Sequence, residues 1–136
     1  MEHTPWTILI IDDDDDDKDL FCQGVSRVDA TLSCHRAADA EDALAKLKSG
    51  SEHPDLIFLD LNMPRMSGKQ FLRVIKSIDS LKHIPIVIYS SSDWEKDVAE
   101  TMSLGASHYI TKPILLTQLS KEIQRVVEIE RRRLGA

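Results

Sequence analysis

The chain of 136 residues is about one domain long, with 42 % hydrophobic and 29 % charged residues, ordinary for a soluble globular protein that buries a core. No apolar run approaches the roughly 18 residues of a membrane span, and the start, Met-Glu-His-Thr-Pro-Trp, lacks a cationic segment followed by an apolar one, so no membrane contact and a cytoplasmic location are expected. The formal net charge of −6 is local, because Asp12 to Asp17 account for it; the one basic run, Arg131-Arg132-Arg133, reads as cations on the last turn of a helix, so nucleic acid is not an expected partner.

In chain order, Trp6-Thr7-Ile8-Leu9-Ile10-Ile11 reads as a strand buried on both faces, and it ends in Asp12 and Asp13. A helix is expected over 16–28, with Leu20, Phe21, Gly24, Val25 and Val28 inward and the aspartates at its positive end. A weaker strand over 31–36 leads to a helix over 40–49, where Ala40, Ala43, Leu44 and Leu47 form the stripe and Gly50 the stop. Cys22 and Cys34 read as reduced packing residues, too few and too far apart for a metal knuckle or a disulfide framework.

Asp55-Leu56-Ile57-Phe58-Leu59 is the next buried strand, and it stops at Asp60 before a turn of Asn62, Pro64 and Ser67-Gly68. A third helix over 68–78 buries Phe71, Leu72, Ile75 and Ile78. A strand over 85–89 ends in Ser90-Ser91-Ser92, followed by a helix over 95–104 with Val98, Ala99 and Met102 as its apolar positions. The last strand, 107–111, stops at Lys112-Pro113, and a final helix over 116–133 turns Leu116, Leu119, Ile123, Val126 and Val127 inward. Strand and helix alternate throughout, which implies an α/β fold with a parallel sheet covered on both sides.

In such sheets ligands bind at the carboxyl ends of the strands. Here those ends carry Asp12 and Asp13, Asp60, Ser90 and Lys112. Adjacent carboxylates repel unless a cation lies between them, and an all-oxygen set suits Mg²⁺. Lys112 supplies a mobile positive charge and Ser90 a hydroxyl donor for a transferred anion. Together they fit phosphoryl transfer onto Asp60 as the attacking carboxylate.

The motifs Ile10-Ile11-Asp12-Asp13, Leu59-Asp60-Leu61-Asn62-Met63-Pro64 with Gly68, Tyr89-Ser90-Ser91, Leu104-Gly105-Ala106 and Tyr109-Ile110-Thr111-Lys112-Pro113 resemble the receiver domain of two-component response regulators, over nearly the whole chain. The resemblance implies a (βα)5 doubly wound, five-stranded parallel sheet of order 2-1-3-4-5, flavodoxin-like and CheY-like. It implies that Asp60 accepts the phosphoryl group from the phosphohistidine of a sensor histidine kinase or histidine phosphotransfer protein. Asp13, Asp60 and the backbone carbonyl of Asn62 would bind Mg²⁺, with Asp12 direct or through water, and Ser90 and Lys112 would contact the phosphoryl oxygens. Ser90 and Tyr109 would then act as the switch, reshaping the face of helix four, strand five and helix five for an unidentified downstream protein or a second copy in a homodimer. The family also implies a cis Lys112-Pro113 bond and no enzymatic turnover beyond self-phosphorylation and autodephosphorylation. With nothing after helix five, the chain reads as a single stand-alone receiver, residues 1–136, without an output domain.

Departures from the commonest family pattern are Ser90 where threonine is usual, and Asn62, Ser91 and Ser92 at positions that influence phosphoryl lifetime. Asp14 to Asp17 either concentrate Mg²⁺ or solvate a loop, and Trp94 either serves a partner or packs at the start of helix four. An EF-hand reading of Asp12, Asp14 and Asp16 fails on Asp17 and Gln23 at the positions that need Gly and Glu. A haloacid-dehalogenase-type phosphatase would need an acid where Asn62 stands. A flavodoxin-like cofactor binder would place a phosphate against acidic loops. A pseudo-receiver that only binds a partner is disfavoured by the complete set of acids, hydroxyl and lysine. His3, His35, His53, His83 and His108 read as surface or strand residues, with no spacing that suggests a metal site.

Overall fold

The computed structural model describes residues 4–135; His3 lies outside them. β1 (Trp6–Ile11) pairs in parallel with β2 (Leu32–Ala37) on one side and β3 (Leu56–Leu59) on the other, and β4 (Ile86–Ser90) and β5 (His108–Thr111) continue the sheet, giving the order β2-β1-β3-β4-β5. The expected (βα)5 architecture is therefore present.

Alternation along the strands splits the core in two. Ile8, Ile10, Leu56, Phe58, Val87 and Tyr89 pack on one face with Phe21 and Val25 of α1 (Asp15–Ser26) and Leu119, Ile123, Val126 and Val127 of α5 (Leu116–Gly135). Leu9, Ile11, Ile57, Leu59, Ile86 and Ile88 pack on the other with Ala43, Leu44 and Leu47 of α2 (Ala40–Ser49) and Phe71, Leu72 and Ile75 of α3 (Gly68–Lys76). The inner strands are buried on both faces, which is why they read as unbroken apolar runs.

α4 (Glu95–Ser103) departs from the expected stripe: Ala99 and Met102 face solvent, Val98 is half-buried, and Thr101 is the buried residue. The Thr101 hydroxyl donates to the Asp97 carbonyl at 2.7 Å, so its burial leaves no polar group unpaired. Polar contacts do the rest of the docking, since Lys69 of α3 reaches Asp97 at 2.7 Å and Glu100 at 3.0 Å. Lys69 is held above its usual pKa by its hydrogen bonds to Asp97 and Glu100, and Asp97 below its own by those from Lys69 and Ser92.

Two further expectations are corrected. Cys22 and Cys34 form a disulfide, because α1 lies along β2 and brings Cα atoms of distant sequence positions to 5.7 Å. The Lys112-Pro113 bond is trans, like every described peptide bond; trans is the favoured isomer of an X–Pro bond, and it still lets the lysine reach the acids of the first loop. Arg131 is more than a solvated terminal cation. It donates to Asp29 and to the Thr4 carbonyl, each at 3.0 Å, and covers the Trp6 ring, which ties the end of α5 to the start of β1.

Candidate phosphoryl-transfer site

Asp12 and Asp60 each follow the last residue of a strand, and those strands are neighbours with Ile11 opposite Leu59. The Asp60 amide donates to the Ile11 carbonyl at 3.0 Å, so the pairing of the sheet itself sets the two carboxylates side by side. Past Asp60 the chain reverses through Arg65, a non-glycine residue at φ 65°, whose guanidinium reaches Asp39 and Glu41 at the start of α2. Ser67 then opens α3 with a reciprocal cap: its hydroxyl accepts from the Gln70 amide, and the Gln70 side chain accepts from the Ser67 amide. The turn is thus pinned at both ends.

Asp12 is fully buried, Asp60 is 6 % exposed, and Asp13 is open to solvent; the three present oxygens within 4.8 Å of one another. Burial is the main reason that the Asp60 carboxyl is pushed up to about 6, and the charges of Asp12 and Asp13 add to it against the pull of Lys112 and a hydrogen bond from the Asn62 amide. Such a site is short of positive charge. An all-oxygen donor set with crowded, partly desolvated carboxylates fits a hard divalent cation, so the residues present suit Mg²⁺.

Lys112 enters from the opposite side. Its ammonium lies 2.9 Å from Asp12, 2.8 Å from Asp17 and 3.9 Å from Asp60, and 5.3 Å from the centre of the Tyr89 ring. Burial favours the neutral amine, but hydrogen bonds to Asp17 and Asp12 and the Asp60 charge outweigh it and hold the lysine above its usual pKa. Burial likewise raises the Tyr89 hydroxyl to about 12.

The buried Ser90 stands at the end of β4, and its hydroxyl oxygen accepts from the Ser92 amide at 3.2 Å. Ser92 is a junction: its hydroxyl donates to Asp97 of α4 at 2.7 Å, and its carbonyl accepts from the Tyr109 hydroxyl at 2.6 Å. Asn62 is exposed, with its amide 3.4 Å from Asp60.

The structure therefore gathers Asp12, Asp13, Asp60, Asn62, Ser90 and Lys112 at one sheet edge, with Tyr109 connected through Ser92. Sequence reasoning named Asp17 only as part of the aspartate run and Ser92 only as a position that influences phosphoryl lifetime, and it missed Asp97. The aspartate run disguises Asp17, although its place in the first turn of α1, five residues past Asp12, was a usable signal. Asp14 also has a defined part, accepting from the Asp17 amide at 2.9 Å as the N-cap of α1. The four described histidines, His35, His53, His83 and His108, form no cluster; His35 pairs with Glu52, and His108 with the buried Glu130 of α5 at 2.7 Å.

Residues 8–124 match the family model of the response regulator receiver domain. Response regulator Rcp1 of Synechocystis sp. is 34 % identical over 129 residues, covering 90 % of this chain and 86 % of that protein. The phosphorylated cyanobacterial phytochrome response regulator RcpA superposes with a TM-score of 0.81 at 31 % identity, over 90 % of this chain and 91 % of that one. The Mn²⁺-bound form of Rcp1 does so with 0.74 at 32 % identity, over the same shares. The chain spans 15 % of the length of the sensor histidine kinase CheAY of Helicobacter pylori and 60 % of that of protein PilG of Pseudomonas aeruginosa, to which it is 27 % and 39 % identical. Family model, relatives and fold agree, and the chain belongs to the response regulator receiver domain family.

Proposed function

We propose that the chain accepts a phosphoryl group on Asp60 from a phosphohistidine, in a reaction that requires Mg²⁺, and passes the signal on through the surface of α4, β5 and α5. The observation that carries this reading is the buried Asp60 carboxylate set among Asp12, Asp13 and the Lys112 ammonium at one sheet edge.

Asp60 attacks phosphorus with an oxygen lone pair. The new O–P bond forms as the N–P bond of the donor breaks, and the imidazole departs with the bonding pair. Bound to Asp13 and Asp60, to the Asn62 carbonyl and to Asp12 directly or through water, Mg²⁺ would neutralise charge on the phosphoryl oxygens. Lys112 and the Ser90 hydroxyl hold the remaining oxygens, and burial excludes water from the carboxylate.

Ser90 also starts the readout. As its hydroxyl turns to the phosphoryl group, the bond from the Ser92 amide is disturbed, and Ser92 in turn holds both Tyr109 and Asp97. The strain reaches α4 and the surface beside it, where Trp94 is 59 % and Ile114 94 % exposed and Met102 and Leu115 are open too. A downstream protein or a second copy of the chain would dock there, while a sensor histidine kinase or a histidine phosphotransfer protein supplies the phosphoryl group.

The test uses a donor with the same N–P bond. Incubated with phosphoramidate and Mg²⁺, the natural chain is expected to gain one phosphoryl group that sodium borohydride reduces to homoserine at position 60, while Asp60→Asn gains none. Label on a histidine or serine instead would overturn the reading.

A further inference from the structure

Lysine carries three N–H donors. At Lys112 two are spent on Asp12 and Asp17, at 2.9 and 2.8 Å, and the nearest acceptor for the third is Asp60 at 3.9 Å, beyond hydrogen-bond reach. A lysine free to choose would close on a buried, electron-rich carboxylate, and burial makes an unmatched charge costly for both partners. Something holds the ammonium back. Asp12 alone does not fix the distance, because one contact leaves the long lysine stem free to swing; the second contact, from the first turn of α1, makes the position definite.

We propose that Asp17 is a positioning residue of the phosphoryl site: with Asp12 it holds the Lys112 ammonium off Asp60, leaving the third N–H for a phosphoryl oxygen and the carboxylate free to attack. The proposal rests on the phosphoacceptor reading of Asp60. At 3.9 Å from the Asp60 carboxylate, the ammonium stands close enough for its third N–H to reach an oxygen of a phosphoryl group carried there. An ammonium in contact with Asp60 would occupy that space and tie up the lone pair that attacks.

The position of Asp17 suits this part. Its side chain is 41 % exposed, its amide is anchored to the Asp14 carboxylate at 2.9 Å, and it sits on a regular helix instead of a loose loop, so its carboxylate has a rigid base. Its neighbour Asp16 is also exposed and negative but has no hydrogen-bond or ion-pair partner among the described residues, which makes it a matched control for charge alone.

The experiment compares the natural chain with Asp17→Asn, Asp17→Glu and Asp16→Asn by two readouts. One is the initial rate of phosphoryl gain from acetyl phosphate with Mg²⁺, followed by intact mass; the Asp60–phosphorus bond forms as the acetate oxygen leaves with its electron pair. The other is the crystal structure of each metal-free chain. Asp17→Asn is expected to react about tenfold more slowly, with the ammonium moved into contact with Asp60, while Asp17→Glu recovers most of the rate and Asp16→Asn leaves it unchanged. An equal rate in Asp17→Asn, an equal loss in Asp16→Asn, or an ammonium that stays in place overturns the positioning role. Failure of the natural chain itself to react, with acetyl phosphate and with a phosphorylated histidine kinase alike, identifies the phosphoacceptor reading as the fault and overturns both.

Discussion

Gly68 and Asp60 are packed backbone to backbone: a Cβ built on Gly68 would point at the Asp60 carbonyl and come within 2.7 Å of the Leu61 Cα. The Gly68 amide also donates to the Leu61 carbonyl at 3.0 Å, so the start of α3 rests directly on the strand end that carries the proposed nucleophile. Neither neighbour can yield, being main chain. Gly68→Ala is expected to destabilise the fold by about 3 kcal/mol and to slow phosphoryl uptake by displacing Asp60. Gly24→Ala is the comparison, because there the added Cβ meets the Leu119 side chain at 3.1 Å, which can shift. Urea unfolding of the two variants side by side tests this, and equal stability would contradict it.

The raised Asp60 carboxyl makes stability depend on pH in metal-free buffer. It binds its proton more tightly folded, at about 6, than at its ordinary 3.8, so its stabilising contribution is complete below pH 3.8 and is lost as pH rises through about 6. Asp60→Asn escapes this loss. It is expected to be about 3 kcal/mol more stable than the natural chain at high pH, with the gap closing towards pH 4 and narrowing when Mg²⁺ is added. Urea midpoints across that range provide the check, and a natural chain as stable as the variant at high pH would count against the crowded-acid description.

The Cys22–Cys34 bridge closes a loop of sequence separation 12 between α1 and β2. Loop-entropy arguments give about 3 kcal/mol for a loop near that length. Treatment with dithiothreitol, or the pair Cys22→Ser and Cys34→Ser, is expected to lower the unfolding midpoint accordingly, and a non-reducing peptide map should show the linked peptides. Two free thiols in the untreated, air-exposed chain would contradict the bridge.

Trp94 reports on the proposed switch. It is the exposed N-cap of α4 without a side-chain cap, and its amide donates to the Ser92 hydroxyl at 3.3 Å. The other tryptophan, Trp6, is buried under Arg131 at the amino end of β1. Phosphorylation is expected to change the emission of the natural chain and leave Trp94→Phe silent. A change that survives in the variant, or none on full modification, would disconnect Trp94 from the site.

The inner strands β1, β3 and β4 were legible because they are short apolar runs buried on both faces, and α2 because Ala40, Ala43, Leu44 and Leu47 keep helical spacing up to Gly50. α4 was legible as a helix but its packing face was not, since it docks through Lys69, Asp97 and Glu100, which a hydrophobic pattern does not register. The strand-end acids and Lys112 could be read from their places after apolar runs. The long-range contacts of Asp17 and Ser92 could not: each acts through a partner far along the chain, Lys112 in one case and Tyr109 in the other. The same limit hid the disulfide, whose cysteines meet only once α1 is laid against β2.

The most direct test of the central claim is the intact mass of the chain after incubation with acetyl phosphate, with Mg²⁺ and with the metal chelated, alongside Asp60→Asn. Phosphoryl transfer to Asp60 predicts one added phosphoryl group in the natural chain with Mg²⁺ and none in the other samples. An equal gain in Asp60→Asn, or no gain by any chain from either acetyl phosphate or a phosphorylated histidine kinase, would contradict it.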